Sequence, residues 1–246
     1  MQKVDFDYEL IIADDYSTDG TREIILDYKE NYPGLIKLIL QKRNVGPGKN
    51  WLDLIEAPKS KYIAYFEGDD YWTDPYKLQK QVDFLEANEE YSASGHAAYN
   101  SYKVKNNSGI TTDKIITIGG GIIPTASIIF RKKYLEILIK KYNYLMKMGD
   151  YGLLIFLSLM GKIYYFRNEM SYYRINPSSL THSKRTLSQE VMVKHNIIAN
   201  LLRFNYHSSN LFIKHILKKI LLLNALFLYR ITIHRLNLYF EKQKNS

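Results

Sequence analysis

Short apolar runs alternate with amphipathic stretches through the first third of the chain, and this alternation restricts the fold more than any other feature. "YELIIADD" ends on Asp14-Asp15 and is followed by the turn-rich "YSTDGT". "REIILDYKENYPG" then carries Ile24, Ile25 and Tyr28 at helical spacing and stops at Pro33-Gly34, a helix exit. "LIKLILQ" reads as a second strand, "NVGPGKN" as a loop, "WLDLIEAPKS" as a short helix and "KYIAYFE" as a third strand. The order predicts an α/β layer with a mainly parallel sheet flanked by helices. In such sheets ligands collect beyond the carboxyl ends of the strands. Both acidic clusters, Asp14-Asp15 and Glu67 to Asp70, fall at such ends.

Further on, "KLQKQVDFLEANEE" predicts an amphipathic helix after Pro75 and "SASGHAAYNSYKV" a strand, with "NNSGITTDK" as a polar loop. "GGGIIPTASIIFRKKYLEIL" reads as a Gly-rich turn, a strand and a helix. "GDYGLLIFLSLMG" is a helix with Gly161 as its stop, and "KIYYF" is another strand. From Ser188 the pattern is helical and rich in Leu and Lys. With 246 residues the chain can bury one sizeable core, and 46% hydrophobic content sets it apart from disordered sequences. It contains no cysteine, which removes disulfides and thiolate metal sites.

The acidic points carry the chemistry. In "YIAYFEGDDYWTDPYKL", Glu67, Asp69 and Asp70 follow a buried-type strand and are backed by Tyr71 and Trp72. Neighbouring carboxylates raise one another's pKa unless a cation or hydrogen-bond donors compensate. Oxygen ligands of this kind suit Mg2+ or Mn2+, ions that commonly use one or two carboxylates and take further ligands from substrate phosphates. A solvated turn is the plainer alternative. In "ADDYSTDGT" the acids serve either as a strand-to-helix turn or as acceptors for a base N–H or ribose hydroxyl. Asp150 opens an apolar helix, where it is either an N-cap or an ionised carboxylate able to act as general base.

Taken in order, these motifs resemble the inverting family 2 glycosyltransferases with the GT-A, Rossmann-like fold. "YELIIADDYSTDGTREII" is similar to the family's first nucleotide-binding signature, and "KYIAYFEGDDYWTDPYKLQKQVDFLE" to its metal-binding strand end. "PTASIIFRKKYL" is similar to its acceptor-side strand, and "GDYGLLIFLSLMGKIYYFRNEMSYYRIN" to its catalytic-base helix and following strand. The resemblance implies that Asp15 contacts the base with Asp14 beside it, and that Lys49 is a donor-side candidate. Asp69 and Asp70 would serve the ribose and a metal-bound diphosphate, and Glu67 would stand where relatives have the first Asp of an Asp-x-Asp triplet. Asp150 would be the base, and Mn2+ or Mg2+ the cofactor.

The same resemblance implies a strand-helix unit of roughly 30 residues ahead of "YELII", so the chain is expected to be N-terminally truncated. Where relatives read Tyr-Arg-x-His, this chain has Asn176, with His182 as a substitute metal ligand. The expected organisation is a glycosyltransferase domain over 1–185 and a helical extension over 186–246. That extension either packs back on the catalytic domain or lays its Lys214, Lys218 and Lys219 side on anionic lipid at the inner face of the plasma membrane. The start lacks a signal-peptide pattern, so a cytoplasmic enzyme is expected, with no nucleic-acid partner despite a net charge of +9. The expected activity is sugar transfer from a nucleotide donor, a UDP-sugar, to a glycan or lipid-linked acceptor in bacterial surface polysaccharide synthesis. The competing readings are an inactive truncated binding module and a Mg2+-dependent phosphoryl transferase.

Overall fold

The computed structural model describes residues 1–101, 123–142 and 149–175. Among these lie β1 (Leu10–Asp14), α1 (Thr21–Asn31), β2 (Ile36–Leu40), α2 (Pro47–Glu56), β3 (Tyr62–Ala64) and β4 (Tyr71–Trp72). They continue with α3 (Lys77–Ala87), β5 (Tyr91–Tyr99), β6 (Ile129–Arg131), α4 (Lys132–Tyr142), α5 (Gly149–Met160) and β7 (Lys162–Tyr172). A single 3-10 turn at Thr125–Ser127 precedes β6. The expected segment 186–246, Asn176, His182 and the loop "NNSGITTDK" lie outside the described residues.

The α/β architecture stands, with parallel pairings as its longest ladders. β1 and β2 pair in parallel from Leu10↔Ile36 to Asp14↔Leu40. β5 and β7 pair in parallel from Tyr91↔Lys162 to Tyr99↔Tyr172. Shorter antiparallel contacts join β3 to β6, β6 to β5 and β4 to β7. The hydrogen-bonded order is β3-β6-β5-β7-β4, and β1-β2 form a sheet of their own. The chain therefore leaves β3 at one edge of the larger sheet and enters β4 at the other. Residues 65–70 cross between the two edges, and they include all three acids of the second cluster.

α5 is apolar nearly all round because it is buried nearly all round. Leu153, Leu154, Ile155, Phe156 and Leu157 join Ile63, Ala93, Ala97, Phe130, Ile163 and Tyr165 in the main core. A smaller cluster forms around Leu78, Leu85 and Ile129, onto which alternate residues Val4, Phe6 and Tyr8 pack. Hydrogen bonds hold that first segment down. Lys3 N–H donates to Pro75 O at 2.7 Å, and Leu78 N–H to Gln2 Oε1 at 3.0 Å.

Three local expectations change. α2 begins at Pro47 and takes in most of the expected loop, because proline at a helix start gives up no hydrogen bond. Lys49 thus sits in the first turn of α2, ion-paired with Asp53 one turn on. Gly161 does end α5, but not by adopting a left-handed backbone, since the described glycines with positive φ are Gly20, Gly46 and Gly149. A Cβ on Gly161 would lie 2.9 Å from Glu90 O and 3.0 Å from Ser92 N, so close approach of β5 is what requires glycine there. β4, too short to show a pattern, was not foreseen. Among the described residues no helix is long and apolar enough to cross a membrane.

Candidate active site

The end of β1 is organised by an ion pair between the half-buried Arg22 and the buried Asp14. Arg22, from the first turn of α1, donates Nε–H to Asp14 Oδ2 at 2.6 Å, and its terminal nitrogen lies 2.5 Å from the same oxygen. The Ser17 amide also donates to the Asp14 carboxylate, at 3.3 Å. Burial alone would raise the Asp14 pKa, but the bonds from Ser17 and Arg22 outweigh it and hold the group below its ordinary value. A second Arg22 bond, to Gln41 O at 2.9 Å, ties β2 to the same turn. Asp14 thus serves the scaffold, its carboxylate already supplied with donors from the protein.

Asp15 points elsewhere. Its Oδ1 accepts the Val45 amide at 2.7 Å and pins the loop that leads into α2. Tyr16 follows with φ 64, a backbone uncommon for a bulky residue, and its exposed ring lies under the Arg22 guanidinium. Beside this turn, Gln41 donates to Asp53 Oδ2 at 3.0 Å while Asp53 Oδ1 holds Lys49. The Lys49 ammonium is therefore engaged on its own helix.

The crossing segment is anchored by aromatics at both ends. Tyr65 meets Trp51 edge-on, and Phe66 packs at 4.7 Å from Trp72, whose indole N–H donates to Ala126 O at 2.8 Å. The Asp70 amide closes a turn onto Glu67 O at 3.2 Å, gathering Glu67, Asp69 and Asp70. Asp70 is buried. One of its oxygens accepts the Arg174 amide at 3.0 Å, and the other, Oδ2, is buried with no partner. Burial raises the Asp70 pKa, partly opposed by the Arg174 amide and reinforced by Asp69.

Asp150, in the first turn of α5, completes the group. Its Oδ1 accepts the Tyr151 amide at 2.7 Å, and its Oδ2 accepts the Thr125 hydroxyl at 3.1 Å. Its field reaches Glu67, which burial first, then Asp150, Asp69 and Asp70, push up to about 7. Tyr65 is raised by burial together with Glu67 and Asp150. Glu67, Asp69, Asp70 and Asp150 thus share one acidic locality, and Asp14, Asp15 and Lys49 belong to the turns at the ends of β1 and β2.

Among the described residues no group of three His, Asp or Glu side chains converges tightly enough to hold a metal ion unaided. The donor set still fits a divalent ion completed by a ligand's oxygens. Asp70 Oδ2 is an orphaned carboxylate oxygen, and the raised Glu67 signals negative charge in excess. Sequence reading missed Thr125, Arg22 and Arg174. "PTAS" and "YELIIADDYSTDGTREII" contain Thr125 and Arg22 without singling them out, and Arg174 acts across 104 residues, beyond any local pattern.

The sequence model of glycosyl transferase family 2 matches residues 3–156. The chain belongs to that family. Among curated relatives, Uncharacterized protein Rv1520 of Mycobacterium tuberculosis is 46% identical over 95 residues, which is 39% of this chain and 28% of that one. The Poly(ribitol-phosphate) beta-glucosyltransferase of Bacillus spizizenii is 37% identical over 65 residues, 26% of this chain and 10% of its own. The chain thus matches less than a third of the length of either. Among solved structures, S. aureus TarS 1–349 in complex with UDP superposes with a TM-score of 0.57 at 18% identity, over 89% of this chain and 63% of that one. The mannosyltransferase PcManGT of Pyrobaculum calidifontis, in complex with GDP-Man and Mn2+, gives 0.53 at 13% identity, over 87% and 61%. These likenesses establish a shared α/β fold.

Proposed function

We propose that the chain transfers a sugar from a nucleoside diphosphate donor, a UDP-sugar, to a hydroxyl of a glycan or lipid-linked acceptor, with inversion. The observation that carries this is the single acidic locality formed by Asp70, with its unpartnered buried oxygen, and by Glu67 under the field of Asp150. Asp15 and the loop it pins from Val45 would receive the nucleoside, with Asp14 and Arg22 keeping that turn rigid. Asp70, with Asp69 and Glu67, would hold Mn2+ or Mg2+ against the donor's diphosphate. When bound, such an ion offsets the charge of the departing nucleoside diphosphate.

Asp150 would take the proton. Its carboxylate is fixed by Thr125 and by its own helix start, so it stays oriented as the acceptor hydroxyl attacks the anomeric carbon. One base acting opposite the leaving group gives inversion. Support for a nucleotide donor comes from the UDP and GDP-Man complexes of proteins sharing this fold, and for a divalent ion from the Mn2+ in one of them. Support for a polymer as acceptor comes from the relative named as a poly(ribitol-phosphate) beta-glucosyltransferase. A cytoplasmic site of action, peripheral to the membrane, fits such an acceptor.

The test is nucleoside diphosphate release from a panel of UDP-sugars, for the wild-type chain and for Asp150→Asn. Release by the wild type should drop about 10^2- to 10^4-fold in the variant while UDP binding is retained. Release unchanged in Asp150→Asn would remove Asp150 from the chemistry.

A further inference from the structure

Three neighbouring strands each place a tyrosine at one level of the larger sheet. Tyr71 of β4 is the register partner of Tyr172 of β7, and Tyr172 is the register partner of Tyr99 of β5. Their rings stack in that order. Tyr71 and Tyr172 lie 5.2 Å apart at 9°, and Tyr172 and Tyr99 lie 6.3 Å apart at 26°. The level is the carboxyl end of both parallel strands β5 and β7, the end at which ligands gather. Core tyrosines would be covered, yet Tyr71 and Tyr99 keep 45% and 44% of their surface exposed. The ladder is also rimmed by hydrogen-bonding groups. The Arg174 guanidinium sits 5.9 Å over the Tyr71 ring, and the exposed Asn100 amide donates to the Tyr172 hydroxyl at 2.7 Å.

The ladder is joined directly to the acidic locality. Tyr71 follows Asp70 in the chain, and the Arg174 amide bonds the Asp70 carboxylate. It also stands in the larger sheet, whereas the turns assigned to the nucleoside belong to the β1-β2 sheet. An exposed aromatic surface edged by amide and guanidinium donors matches one chemistry well. The stacked rings turn their faces on one another, so a pyranose ring would lay its apolar C–H face along the exposed parts of Tyr71 and Tyr99 while its equatorial hydroxyls accept and donate at the rim.

We propose that Tyr71, Tyr99 and Tyr172 form a subsite for a pyranose ring of the acceptor saccharide, with Arg174 and Asn100 bonding its hydroxyls. This rests on the transferase reading and adds the acceptor class, a saccharide that packs a pyranose ring along the ladder beside the reacting hydroxyl. It assigns no part in the chemistry to these residues.

The test is saturation-transfer NMR with cellohexaose, maltohexaose, chitohexaose and laminarihexaose, irradiating the aromatic protons of the full chain. Transfer to axial ring protons of at least one hexasaccharide is expected. It should weaken about tenfold in affinity in Tyr71→Ala and Tyr99→Ala and persist in Tyr71→Phe and Tyr99→Phe. Excess UDP with Mn2+ should leave it in place. No transfer from any of the four, equal transfer in the alanine variants, or displacement by UDP would each overturn the subsite. Calorimetric UDP binding on the same samples separates the two claims. UDP binding without saccharide contact removes the ladder alone, and saccharide contact without UDP binding removes the transferase reading and leaves a saccharide-binding surface.

Discussion

Asp70 and Arg174 meet through one backbone hydrogen bond, Arg174 N–H to Asp70 Oδ1 at 3.0 Å, across 104 residues of chain. The bond fixes the carboxylate at the start of β4 and leaves Oδ2 buried without a partner. A buried anionic oxygen with no donor is unfavourable, and burial accordingly raises the Asp70 pKa. An incoming cation would remove that penalty. Asp70→Asn should therefore leave the fold intact, or slightly stabilise the metal-free chain, while weakening Mn2+-dependent ligand binding at least about tenfold. Urea unfolding and titration of the same variant check both halves.

Glu67 makes the site's charge visible in stability. Its folded pKa, about 7, lies above its ordinary value of 4.5. Between those two values the folded chain binds more protons than the unfolded chain, so stability falls as pH rises through that window. Read as a difference between variant and wild type without metal, the melting temperature of Glu67→Gln should gain on that of the wild type from about pH 5 to about pH 8. A variant with an unchanged pH profile would show that Glu67 is not crowded by its neighbours.

Lys77 is fully buried in the first turn of α3, with its ammonium 4.2 Å from the Trp72 ring centroid and no hydrogen-bond partner. Burial holds its pKa well below the ordinary lysine value, and Lys77 in turn helps burial lower His96 to about 3. The unfolded chain binds the Lys77 proton more readily, so this group makes stability rise with pH up to the ordinary lysine range. Lys77→Met should stabilise the fold by about 1–3 kcal/mol near neutral pH, read from urea unfolding, with a smaller gain at higher pH.

Much of this fold could be read from one-dimensional patterning. Periodicity placed α1, α3 and α5, and the strand-like runs placed β1, β2, β3, β5 and β6, because each is long or apolar enough to carry its own signal. The boundary of α2 was misplaced because Pro47 and Gly48 look like loop residues while proline suits a first helical turn. The two-residue β4 exists through its pairing with β7, which no local window contains. The carboxylates of the site were legible as types in sequence. Their partners were not. Arg22, Thr125 and Arg174 reach the acids through tertiary packing, and the tyrosine ladder depends on strand register.

Gly161 supplies a further check on packing. It was legible as a helix stop, yet the structure makes it a point of contact between the end of α5 and the start of β5. Gly161→Ala should destabilise the chain by about 2 kcal/mol, because the backbone of Glu90 and Ser92 must shift to admit a methyl group. A neutral result in chemical unfolding would mean that β5 yields there freely.

The most direct test of the central claim is calorimetric titration of UDP into the chain, with and without Mn2+, alongside an Asp69→Ala, Asp70→Ala double variant. The account predicts Mn2+-dependent binding by the wild-type chain that is lost in the variant while the variant still unfolds cooperatively. A folded wild-type chain that binds no UDP in the presence of Mn2+, or a variant that binds it equally well, would contradict the assignment of the acidic locality to a nucleotide-sugar diphosphate.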